Sequence, residues 1–154
     1  MKGIVILVTL AALFVGATVC LADSPQMGTW KLNEAKSKFS PGASKNTTVV
    51  YEAAGDSVKV TVDGVDGSGN ATHNEWTGKF DGKFYPVTGD PTSDMRSYRK
   101  INNRTLALTG KKGSKVSVTG RIVVTANGKS RTVTTTATDS KGRKVTNRAV
   151  YDKQ

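Results

Sequence analysis

The chain offers catalysis one histidine and one cysteine. A Ser-His-Asp or Cys-His centre needs an imidazole base, and His73 is the sole candidate. A zinc site of several thiolates, or an intrachain disulfide framework, cannot be assembled from a single Cys. His73 and Glu75 stand two residues apart, so a strand would place both on one face, as half of an acid–base or metal pair. Glu75 with Asp81 is the other carboxylate pair an enzyme would need. The spacing of His73 and Glu75 equally describes the polar outer face of a strand beside a turn, and it is read that way. Asp63-Gly64-Val65-Asp66-Gly67-Ser68-Gly69-Asn70 sets two acids among glycines. It lacks the alternating ligands and closing Glu of a calcium loop, and it reads as a hairpin turn. No metal, no cofactor and no catalytic residue is expected, and the chain is read as non-catalytic. What remains is binding. Trp76 and Phe80 have the same parity and should share a face with Val58, Val60 and Val62. With Tyr85 and Tyr98 they are the expected lining of a site for a small apolar or amphipathic molecule.

These side chains must be positioned by strands. Downstream of residue 22 no apolar pattern of helical period is sustained, whereas alternation of period two recurs throughout. Val58, Val60 and Val62 alternate with Lys59 and Thr61. Leu106 and Leu108 alternate with Thr105, Ala107 and Thr109. Val116, Val118, Ile122 and Val124 share a face with Gly120 between them, and Val133, Thr135 and Ala137 share another. Beta-branched residues suit a pleated, half-buried surface. Turn signals punctuate the runs at Gly55-Asp56, Asp81-Gly82, Gly89-Asp90-Pro91, Lys112-Gly113, Asn127-Gly128 and Lys141-Gly142, and the Asp-Gly and Asn-Gly pairs favour type I′ turns. The only helical candidate is residues 33–39, with Asn33 as N-cap. The expected fold is all-β: an antiparallel up-and-down barrel of about eight to ten strands. A β-sandwich is the alternative, because both give the same alternation.

The first residues read as an address. Lys2 precedes an apolar stretch over residues 4–15, and Cys20-Leu21-Ala22 has small residues at its first and third positions. This predicts a signal peptide over 1–22 with cleavage near Ala22, a single domain over 23–154, and a secreted or periplasmic location. A membrane would be met only through an uncleaved N-terminus or one lipidated at Cys20. With 154 residues there is room for one ordinary domain.

Charge is uneven. The formal net charge is +11, and from Arg96 onward the only acids are Asp139 and Asp152. The basic residues of this half include Arg96, Arg99, Arg121 and Arg131, all expected on the outer face. They favour anionic partners such as a surface polymer or lipid head groups. Nucleic acid is disfavoured, because Tyr98 is the only aromatic among them before Tyr151 and no stacking platform is interleaved. The alternative function is therefore an interaction module that binds an anionic polymer through this surface.

Gly28-Thr29-Trp30, early in the first predicted strand, resembles the Gly-x-Trp opening of the calycins, the superfamily of lipocalins and fatty-acid-binding proteins. The resemblance implies a small secreted barrel that binds a ligand. It also implies that Trp30 closes one end with a basic residue from a late strand across it, for which Arg148 is the candidate. The Arg-x-Tyr pair with which fatty-acid-binding proteins hold a carboxylate does not carry over, since Arg148 and Tyr151 fall on opposite faces. Residues 33–39 are too short for the helical lid of that family, and the lipocalin disulfide is absent.

Overall fold

The computed structural model describes residues 23–139 and 141–154; the expected signal peptide lies outside them. Ten strands follow in order: β1 (Gly28–Leu32), β2 (Lys45–Ala54), β3 (Ser57–Val65), β4 (Ala71–Gly78), β5 (Tyr85–Thr88), β6 (Met95–Asn102), β7 (Thr105–Lys112), β8 (Lys115–Val124), β9 (Ser130–Thr138) and β10 (Lys144–Lys153). Each pairs antiparallel with the next, and β1 also pairs with β10, through Trp30 opposite Lys153. The sheet closes on itself as an up-and-down barrel, not a sandwich. Closure leaves no free strand edge among them.

The period-two pattern sorts the walls as expected. In β3, Val58, Val60 and Val62 are buried while Lys59 and Thr61 face outward. In β8, Ile122 and Val124 point inward. Val116 shares their parity but is 47% exposed. Lys111 pairs with Val116 and Gly110 with Val118, so Ser117 is an extra residue in β8. Such a bulge breaks the alternation and leaves Val116 on the rim.

The turns are built differently from the type I′ expectation. Among the described residues every positive φ belongs to a glycine, so no turn has two central residues in the left-handed region. Asp139 shows the common construction. Its carbonyl accepts from the Gly142 amide at 3.0 Å, and its carboxylate accepts from the Lys141 and Arg143 amides, each at 2.9 Å. The glycine that ends the turn, Gly142, adopts the left-handed conformation, where it has no Cβ to strain. Asp66 holds the turn to Asn70 in the same way, accepting from the Ser68 and Asn70 amides. That segment is thus a hairpin turn, as read.

The helical candidate is one turn of 3-10 helix, Glu34–Lys36, capped by the Asn33 side chain. The segment after it runs beside β10, where Lys38 and Arg148 exchange backbone hydrogen bonds of 2.7 and 2.9 Å. The base of the barrel is plugged by the residues before β1. Gln26 is buried there, its Nε2 donates to the Arg104 carbonyl, and the Trp30 indole donates to the Gln26 carbonyl at 2.8 Å.

Candidate functional site

The barrel encloses a cavity of about 720 Å³ that opens at the end opposite this plug. A volume of that order suits a small molecule. Its rim comes from the loop before β2 and from the β3–β4, β5–β6, β7–β8 and β9–β10 connections, at Ser44, Asp66, Pro91, Lys112 and Asp139. Between rim and floor the lining is mixed: Val49, Val62, Leu108 and Val133 stand among Asn74, Arg96, Ser117 and Thr135. Its floor is Tyr51, Tyr98, Ile122, Arg131 and Tyr151.

Of the four aromatic residues expected to line the site, the structure brings only Tyr98 to the cavity. Trp76, Phe80 and Tyr85 point inward but lie below it, in the packed base. Trp76 meets Tyr98 edge-on at 4.7 Å between ring centroids and Tyr85 at 5.8 Å; Phe80 meets Tyr98 at 5.9 Å. Gly78 makes this packing feasible, since a Cβ there would stand 2.6 Å from both the Trp76 and Tyr85 rings. These edge-to-face contacts close the base and leave no ligand space between them.

The barrel-closing pair is not Trp30 with Arg148. Trp30 is fully buried at the base, as the calycin resemblance implies, but Arg148 does not cross it. Arg148 is exposed, and its Nη1 donates to the Lys36 carbonyl outside the barrel. Inward positions of β10 are Ala149 and Tyr151, so Arg148 has outward parity. The residue over Trp30 is Arg131 of β9, with its guanidinium carbon 4.7 Å from the ring centroid. Lys153 flanks the same indole at 5.2 Å.

Arg131 and Arg96 also leave the expected basic outer face, because both are buried and line the cavity. They differ in their partners. Arg96, in the upper wall, has one terminal nitrogen 2.9 Å from the Asp90 carboxylate and 3.0 Å from the Asn74 side-chain oxygen. Gly89 sets up this pair: it takes a positive φ, and a side chain in its place would collide with the His73 carbonyl oxygen. Arg131 is 1% exposed, and its Nε and Nη1 have no hydrogen-bond partner. Its guanidinium is boxed by rings instead, with Tyr51 at 4.8 Å and Tyr151 at 5.1 Å in addition to Trp30. Ring faces attract a cation, but they supply no acceptor for its N–H groups. Burial raises the pKa of both tyrosines, Tyr151 to about 12 and Tyr51 further, so each keeps its proton. The Tyr151 hydroxyl donates to the Asn46 carbonyl at 3.0 Å.

His73 and Glu75 lie on the outer face of β4, far from this chemistry. His73 Nδ1 is 2.6 Å from Asp63 and its Nε2 is 3.6 Å from Glu75, which also pairs with Lys59 at 3.0 Å. The hydrogen bond to Asp63 raises the His73 pKa, while partial desolvation opposes it. Asp81 is occupied by the Lys83 amide and the Tyr85 hydroxyl and does not meet Glu75. Among the described residues no group of three or more His, Cys, Asp or Glu is arranged to hold a metal ion.

Tyr51, Tyr151 and Arg131 were not among the expected site residues. Their parity could have found them: Tyr51 matches Val49, Tyr151 matches Ala149, and Arg131 matches Val133, Thr135 and Ala137. The fold is thus a closed ten-strand antiparallel barrel of a form compatible with the calycins. The sequence matches no protein-family model, and it matches no curated protein.

Proposed function

We propose that this chain is an exported, calycin-like binding protein, non-catalytic, that takes a small amphipathic anion into its barrel. The reading rests above all on one observation: a buried guanidinium with two unpartnered nitrogens among the residues that line the cavity. A buried cation without an acceptor is costly, and an anionic head supplies the missing charge and acceptor atoms together. The ligand then enters head first. Its head meets Arg131, and its apolar body lies along Val49, Val62, Leu108 and Val133. Arg96 does not compete for the head, because Asp90 already neutralises it. The cation in this role stands at the floor of the cavity.

The test is a titration with a straight-chain carboxylate and the alcohol of equal length, followed by native mass spectrometry and by tryptophan fluorescence. The carboxylate should bind at least 10-fold more tightly than the alcohol, with little dependence on salt, since the charge pair is buried. Arg131→Met should abolish the difference. Equal affinity for acid and alcohol, or binding of neither, would refute the reading.

A further inference from the structure

The outer wall of β6 to β10 carries a second, independent arrangement. Arg99 pairs in register with Ala107, Ala107 with Arg121, Arg121 with Thr134, Thr134 with Arg148, and Arg148 with Lys38. These six positions form one row across the strands, and the row ends at Arg99, whose other neighbour is the acid Asp81. Its four cations are exposed and alternate with small residues up to Arg148. None of the four is in an ion pair among the described residues. Strands lie about 4.8 Å apart, so successive arginines are separated by roughly 10 Å. A parallel row of hydroxyls runs beside them: Thr109 pairs with Thr119, Thr119 with Thr136, and Thr136 with Thr146.

We infer that this row is a binding track for a flexible anionic polysaccharide laid across the strands. The curvature selects the partner. The row covers four inter-strand steps of a ten-strand closed barrel and one further step to the segment that holds Lys38, together nearly half of its girth. A flat bilayer or a stiff DNA duplex touches a convex wall along a narrow line and meets at most two of the cations. A flexible chain can follow the wall and meet all four. No aromatic side chain stands in the row to stack a nucleobase, whereas threonine hydroxyls can both donate to and accept from sugar hydroxyls. Across β3 and β4 on the opposite wall the cations Lys59 and Lys79 are each paired with an acid, Glu75 and Asp56, and His73 with Asp63, so no comparable row of unpaired cations crosses those strands.

The experiment measures binding of the purified protein to alginate, a polyuronate, against neutral dextran, anionic phospholipid vesicles and duplex DNA, over a range of salt. Alginate should bind and dextran should not. The triple variant R99S/R121S/R148S should weaken alginate binding at least 10-fold. It should also lower the slope of log affinity against log salt by about 2, if the release of roughly 0.7 counterion per contact seen for flexible polyanions applies. The variant R121K/R148K, which keeps the charges, should retain most of the affinity. Carboxylate uptake by the cavity and the thermal midpoint should be unchanged in both variants, which separates this track from the cavity reading. Alginate binding that survives the triple variant, or tighter binding to vesicles or duplex DNA than to alginate, would overturn the inference.

Discussion

Two arginines line one cavity, and the protein treats them in opposite ways. In the upper wall, Arg96 is given an acid and an amide oxygen of its own, within 3.0 Å. At the floor, Arg131 is given three aromatic rings and no acceptor for two of its nitrogens. The first arrangement is electrostatically complete and therefore structural. The second fixes the position of a cation while leaving the hydrogen-bonding capacity of Nε and Nη1 unspent, which is what a receptor for an anion requires. Burial alone thus does not separate a structural charge from a binding one. The partner list does.

The contrast can be broken most severely from beneath. Trp30→Ala removes the ring under Arg131 and opens the base, and should cost about 4 kcal/mol by denaturant unfolding. Next is Asp90→Asn, which leaves Arg96 buried beside a neutral amide and should cost about 3 kcal/mol. Arg131→Met should cost clearly less than Asp90→Asn in the same assay, because a cation lacking acceptors gives back its desolvation penalty when removed. If Arg131→Met proves the more destabilising of the two, the distinction between the two arginines is wrong. The smallest effect concerns the outer wall of β3 and β4. The folded-state pKa of His73 is raised by Asp63, so its contribution is fully present below the unfolded value, about 6.5, and is lost as pH rises through the folded value. An NMR titration should place the His73 midpoint above the ordinary histidine range, and Asp63→Asn should bring it back down. Stability itself should change little, since the pair is exposed.

Much of the barrel could be read along the chain. Alternation in Val58, Val60 and Val62, the short spacing of glycine turns, and the Asn33 cap all describe local geometry, and the structure contains each of them. The site was legible only by halves. Period two tells which side of the sheet a residue faces, so Trp76, Phe80 and Tyr98 were rightly placed inside. It does not tell height along the barrel. Height depends on which residue of the neighbouring strand lies alongside, and the register puts Trp76 and Phe80 in the packed base with only Tyr98 reaching the cavity. Arg131 was masked by a different rule. A charged residue in a Thr-rich strand is ordinarily outside, although its parity with Val133 placed it inside.

By itself, then, the sequence determined an all-β chain of about ten short strands, their inner and outer faces, and a basic second half, because propensity, alternation and turn chemistry act between near neighbours. Only the tertiary structure decided that the sheet closes, that Arg131 and not Arg148 stacks on Trp30, and that four cations far apart in the chain fall into one row. Those outcomes depend on the pairing of β1 with β10 and on the register between strands, which are contacts between residues distant in sequence.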